Sequence, residues 1–300
     1  MAELIEFIGL APLLDEAGVE EDRSDFEALY DTVAISGKYP GLAADIEARI
    51  YDYFAEMQLP DKPTIYDYLV LSLRGKDLIA TFNWDPFLAQ AYRRNSHVAK
   101  LPEIVFLHGN VEIGVCVQDK AKGWKRDKCD ECKKPFPPTK LMYPVRQKDY
   151  DSDPFIRNEW NVVRRFLDRA YFLTIYGYAA PATDVEAKRL MLKPWKENRG
   201  FGLAQVNIID TKPEAALRCT WDDFLCGGHC GVYDDIFESF LFQAPRRSCD
   251  ALAMTTLHME FWDWDQYPEV ETLADLHEWL VPLLKEEEEG VFSGKTSQLR

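Results

Sequence analysis

The sequence predicts an α/β protein built on a doubly wound parallel sheet with a small cysteine-containing insertion, and three observations predict it. Two short apolar runs, DLIATF at 77–82 and EIVFLHG at 103–109, flank the helical pattern PFLAQAYRR, which makes a β-α-β unit. Two further runs, AYFLTIYGYA at 170–179 and LAQVNIID at 203–210, follow the helical stretches PFIRNEWNVVRRFLDRA and ATDVEAKRLMLKPW. Strands that alternate with helices close into a parallel sheet covered on both faces. Composition agrees: 300 residues, 47% hydrophobic and 29% charged, describe a globular chain of one or two domains.

The remaining elements follow in order. Residues 20–58 carry acids, Ala, Leu and aromatics at helical spacing in DFEALYDTV and ADIEARIYDYFAEM, broken by SGKYPG, and predict two helices. Thr64 caps a third helix, IYDYLVLSL, which ends near Gly75. Beyond the sheet, YDDIFESFLF and LADLHEWLVPLLKEEEE read as helical, and the last ten residues read as disordered. No internal repeat is present. The expected organisation is a helical segment at 1–60, a sheet domain at 61–250 with a knuckle at 110–148, and a helical extension with a disordered tail at 251–300.

Charge and composition exclude several classes. A formal net charge of −16 repels nucleic acid at long range and makes it an unlikely partner. No stretch approaches the roughly 20 apolar residues of a membrane span, and MAELIEFIGL lacks a basic secretion start, so a cytoplasmic chain without a membrane partner is expected. Seven irregularly spaced cysteines point to thiols or a metal site rather than a disulfide framework.

The first apolar run ends in Asn83, Trp84 and Asp85, where a buried strand should simply stop. In an open parallel sheet, ligands sit outside the carboxyl ends of the strands. Asn83 and Asp85 can serve there, or can merely cap the following helix. The second run ends in His108 and Gly109, so two neighbouring strands both end in residues capable of chemistry.

These pieces resemble the sirtuin superfamily, in particular its divergent bacterial NAD-hydrolysing branch, and the resemblance implies a Rossmann-like, sirtuin-type sheet. TFNWD is similar to the Thr-x-Asn-x-Asp element that holds the nicotinamide ribose, and LHG to the element carrying the catalytic histidine. CDEC at 129–132 resembles half of a zinc-binding insertion, IYGYAAPATD the turn over the NAD phosphates and ribose, and VNIID the strand that meets the adenosine. The resemblance spans residues 60–215. It implies His108 as general base, Asn83 orienting the nicotinamide ribose or attacking water, and Asp85 holding the nicotinamide amide or the Asn83 loop. It also implies cofactor-binding roles for Thr81, Gly177, Asp184, Asn207 and Asp210. An unperturbed imidazole titrates near 6.5, which suits base catalysis at neutral pH. Bacterial relatives of this type often act in antiphage defence.

Three departures qualify those expectations. The family opens with a strand and a Gly-Ala-Gly turn, whereas only Gly9 in EFIGLAP precedes TFNWD. Either the chain starts downstream of that strand or its phosphate site is a remnant. Cys116, Cys129 and Cys132 are the expected metal ligands, with Asp119 where a fourth cysteine belongs; a structural zinc with one oxygen ligand and an empty knuckle are both open. Cys226, His229 and Cys230 in CGGHC are read as a chance grouping. No segment matches the family's acyl-lysine peptide cleft, which disfavours deacylation against NAD hydrolysis. The alternatives are a sensor of NAD or ADP-ribose without turnover and a scaffold for protein partners. Residues 120–148 carry ten Lys/Arg against three Asp/Glu, a solvated knuckle or a surface for a protein partner or homo-oligomer.

Overall fold

The computed structural model describes residues 2–145, 148–180, 184–200, 202, 204–225, 229–258, 262–290 and 295–296. The chain opens with four helices: α1 (Ala2–Phe7), α2 (Ala11–Glu16), α3 (Phe26–Ser36) and α4 (Leu42–Ala55). Asp25 starts α3 by accepting from the backbone N–H groups of Glu27 and Ala28, and Gly37 ends it in the left-handed conformation that glycine adopts without strain. These helices close a core of their own, in which Leu10, Leu14, Leu29, Ile46 and Ile50 are almost wholly buried. Trp84, Tyr143 and Val145 pack onto that core from later parts of the chain.

Helix α5 (Ile65–Ser72) begins at Thr64, as expected, with a reciprocal capping box to Asp67. Buried Asp67 also accepts from the Arg94 guanidinium and from Asn95 Nδ2 at 2.8 Å, tying α5 to α6 (Phe87–Asn95). Strands β1 (Leu78–Thr81) and β2 (Glu103–Phe106) flank α6 and pair in parallel, Leu78 opposite Glu103 and Thr81 opposite Phe106. The insertion that follows contains an antiparallel pair, β3 (Ile113–Cys116) and β4 (Ala121–Trp124).

The second half repeats the alternation: α7 (Pro154–Leu167), β5 (Phe172–Tyr176), α8 (Val185–Glu197), β6 (Gln205–Ile209), α9 (Glu214–Trp221) and β7 (Cys230–Tyr233). β6 lies between β5 and β7, parallel to both. The protein is thus an α/β protein with parallel strands and helical crossovers, the class its alternation predicts. One core joins both blocks: Val105 and Phe106 of β2, Ile156 and Trp160 of α7, and Val206 and Ile208 of β6. Glu159 locks α7 to the insertion. Its buried carboxylate accepts from the Phe106 N–H at 3.0 Å and the Lys122 ammonium at 2.9 Å.

β7 is a strand that the sequence reading omits, because CGVY has little apolar length and follows a Gly/Cys loop. YDDIFESFLF, expected as one helix, instead forms a 3-10 turn at Ile236–Glu238 and a single helical turn, α10 (Phe240–Gln243); Asp235 and Ser239 bound the two pieces. After α11 (Ser248–Ala253), α12 (Leu273–Glu289) packs Leu276, Leu280 and Leu283 into the main core. Arg246 and Arg247 hold α12 through Glu287 and Glu286, each at 2.6 Å. Lys295–Thr296 pairs with Trp262–Asp263, and the rest of the terminal segment expected to be disordered lies outside the described residues. Among the described residues no helix is long and apolar enough to cross a membrane.

Candidate functional site

Parallel pairing puts the carboxyl ends of β1 and β2 side by side. Because Thr81 is opposite Phe106, Asn83 and His108 each stand two residues past a matched pair. The two loops are knitted together beyond that point: the Leu107 N–H donates to the Thr81 carbonyl at 2.9 Å, and the Val111 N–H to the Trp84 carbonyl at 3.1 Å. Asn110, buried and absent from the sequence-derived candidates, clamps the first loop by donating from Nδ2 to the Asp85 carbonyl at 2.6 Å. Its position directly after His-Gly is the one sequence signal that could have exposed it. Gly109 has φ +79°, and a side chain there would meet the Lys140 carbonyl oxygen at 2.1 Å, so the backbone requires glycine directly after His108.

Beyond Phe82, the residues Asn83, Trp84 and Asp85 have different surroundings. The Asn83 side chain is exposed, while its N–H donates to Thr81 Oγ1 at 3.1 Å. Trp84 turns toward the amino-terminal helices, edge-on to Phe54 and 5.0 Å from the Tyr143 ring. Asp85 accepts from the Phe87 N–H at 3.1 Å, a turn bond just ahead of α6, whose capping position is Pro86. Burial pushes its carboxyl above the usual range.

His108 is 5% exposed. Its imidazole lies edge-on to Phe82, stacks on Tyr150, and has Nε2 3.0 Å from the Tyr150 hydroxyl. Tyr178 stacks on Phe82 with ring centroids 4.2 Å apart and donates from its hydroxyl to Asp184 at 3.1 Å. Asp184 in turn forms a buried ion pair with Lys148. Tyr150 and Lys148 were also missed, since they follow the insertion at a distance in sequence that no periodicity connects to His108.

Burial, and secondarily the Lys148 charge, lower the His108 pKa from 6.5 to about 3, with the Asp184 carboxylate acting in the opposite sense. The imidazole is therefore neutral at pH 7, but far less basic than the unperturbed value assumed from sequence. The unfolded chain binds a proton here between pH 6.5 and 3 that the folded chain does not. Stability from this group is complete above pH 6.5 and is lost on acidification toward 3, at about 1.4 kcal/mol per pH unit. Thermal melts between pH 7 and 4 should fall more steeply for the native protein than for His108→Gln; parallel curves would contradict the assignment.

The other candidates occupy the second parallel block. Gly177, with φ +60° and open space where a side chain would stand, follows β5, and its N–H donates to the Ile209 carbonyl at 2.9 Å. Asp210 follows β6 and accepts from the Lys212 N–H at 3.0 Å. Asn207 lies in the middle of β6 rather than at its end. It is wholly buried, it accepts from Gln205 Nε2 at 3.0 Å, and its Nδ2 has no partner among the described residues. Pro181, Ala182 and Thr183 of the expected phosphate turn, and Cys226 of CGGHC, lie outside the described residues.

Cys116, Cys129 and Cys132 converge, and Asp119 joins them: the four ligand atoms all lie within 4.8 Å of one another. Cys116 ends β3, Asp119 sits in the turn to β4, and the other two thiols flank the following loop. Asp119 Oδ2 is 3.0 Å from Cys116 Sγ and 3.2 Å from Cys129 Sγ. That hydrogen bond pushes the Cys116 thiol up to about 12 in the metal-free cluster. Three sulfurs and one carboxylate are a donor set that suits tetrahedral zinc.

No protein-family model and no curated relative matches the chain. Solved structures that are similar to it include a Sir2 homologue in complex with NAD, with 15% identity over 81% of this chain and 88% of that one and a TM-score of 0.41. A point mutant of a Sir2 homologue in complex with ADP-ribose has 14% identity over 67% of this chain and 77% of that one, with a TM-score of 0.37. Sir2 in complex with an inhibitor, 2′-O-acetyl-ADP-ribose and a deacetylated peptide has 16% identity over 78% of this chain and 92% of that one, with a TM-score of 0.34.

Proposed function

We propose that the chain binds NAD along the carboxyl edge of its parallel strands and hydrolyses the bond between nicotinamide and ribose, as a member of the NAD-hydrolysing branch of the sirtuin superfamily. The observation that carries this reading is that Asn83 and a neutral His108 each lie two residues beyond the paired carboxyl ends of adjacent parallel strands. Neutral imidazole is the form that accepts a proton, and the exposed Asn83 carboxamide past the end of the neighbouring strand can orient a ribose hydroxyl or a water. Thr81 holds the Asn83 backbone, and Asp85 and Asn110 fix the loop around it. Gly177, Asp184, Asn207 and Asp210 are assigned to the rest of the dinucleotide. Cys116, Asp119, Cys129 and Cys132 are assigned to a structural zinc, away from the reacting bond.

A second reading is favoured by one specific observation: His108 Nε2 is already engaged by Tyr150 inside a buried aromatic cluster. A chain that binds NAD or ADP-ribose without cleaving it fits that arrangement. Calorimetric titration with both nucleotides, together with nicotinamide release measured by chromatography, separates the two. Binding with release supports the hydrolase, and binding without release supports the sensor. Absence of binding to either nucleotide rejects both.

A further inference from the structure

Tyr150 stands 42 residues beyond His108 in sequence and stacks on it in space, with ring centroids 5.8 Å apart and planes within 15°. Both side chains are more than nine-tenths buried. Trp160 closes the far side of Tyr150 edge-on at 4.9 Å, and Phe82 closes the imidazole at the same separation. The phenol hydroxyl is the group hydrogen-bonded to Nε2. Burial raises the Tyr150 phenol and lowers the imidazole, so both are neutral. A neutral imidazole that accepts at Nε2 carries its proton on Nδ1, so a donating phenol selects that tautomer.

We propose that Tyr150 is the group through which His108 receives a proton, a role that rests on the hydrolase reading and identifies a second residue for its acid-base step. The O–H bond of the substrate hydroxyl breaks and its proton passes to the phenol oxygen. The original phenol O–H bond breaks as an N–H bond forms at Nε2. The phenol ends unchanged, the substrate oxygen is left as the nucleophile, and the imidazole carries the positive charge. Asp184 lies where its carboxylate favours that imidazolium, while Lys148, paired to Asp184, opposes it. The Lys148–Asp184 pair thereby keeps the surroundings of His108 close to neutral.

Tyr150→Phe tests this by removing one oxygen and keeping the ring that packs on Trp160 and His108. Nicotinamide release at saturating NAD should fall by about 100-fold, the lower range for a lost acid-base group, with NAD affinity unchanged. The Tyr150→Phe/His108→Ala double variant should be no slower than His108→Ala alone, because the two residues act as one unit. Nitrogen-15 NMR of His108 should show the Nδ1–H tautomer in the native protein and a mixture in Tyr150→Phe. Native or faster release from Tyr150→Phe overturns the proton route, and an unchanged His108 spectrum overturns the pairing itself. If the native protein binds NAD but releases no nicotinamide while the spectrum shifts, the hydrolase reading fails, and Tyr150 stands only as the residue that positions His108.

Discussion

Replacing His108 with alanine should lower nicotinamide release by about two to four orders of magnitude and leave NAD binding in place, if the proposed hydrolysis is the reaction. The expectation follows from where the imidazole sits. It stands at the end of β2, held in one orientation by Phe82 and Tyr150, and neutral at the working pH. Asn83→Ala should also slow release, since the exposed carboxamide stands just beyond the end of β1, the strand paired to the one that leads to His108. Circular dichroism of each variant establishes that the sheet is intact before rates are compared. Equal release by the native protein and both variants would remove His108 and Asn83 from the chemistry.

If the Cys116–Asp119–Cys129–Cys132 cluster holds the proposed zinc, removing the metal or one ligand should unfold the insertion while the parallel strands persist. Structural zinc sites bind with apparent free energies of about 10–16 kcal/mol at neutral pH in small peptides, comparable to the stability of a whole domain. β3 and β4 are four residues each and, among the described residues, pair only with one another as strands, which is too little sheet to stand alone. Cys129→Ser should therefore reduce zinc content from about one ion per chain to near zero. It should also raise hydrogen exchange across residues 113–136 and loosen the Lys122 contact to Glu159. Elemental analysis and exchange mass spectrometry read both effects. Protein purified without zinc, or exchange unchanged by Cys129→Ser, would dismiss a structural metal.

β2 and β6 were legible because they are buried and read as uninterrupted apolar runs, as EIVFLHG does; DLIATF reads the same way although β1 is only half-buried, with Ala80 exposed. The Thr64 start of α5 was legible because capping acts over three residues. The convergence of the three cysteines was legible from CDEC and the isolated Cys116, and Asp119 from its place three residues beyond Cys116. Tyr150, Lys148 and Asn110 were not. Each reaches the site through packing of one loop on another, and nothing in a local pattern distinguishes a tyrosine that stacks on His108 from one that faces solvent. The basicity of His108 was hidden for the same reason. Its environment is made by Phe82 and by Lys148 and Tyr150 of one later segment, which only the fold brings together.

Trp84 gives the Asn83 loop a second allegiance. Its neighbours on either side belong to the strand ends, yet its indole is seated against Phe54 and Tyr143 on the core of the amino-terminal helices. A displacement of that loop cannot leave the helices undisturbed, because packed side chains re-seat as a unit rather than stretch. Thermodynamic linkage then runs in both directions: a ligand that favours one position of Asn83 must alter the docking of residues 5–50 by the same factor by which that docking alters the ligand's affinity. Through Trp84 the amino-terminal helices and the strand-end loop thus share one packed contact, so a shift of either would be felt by the other.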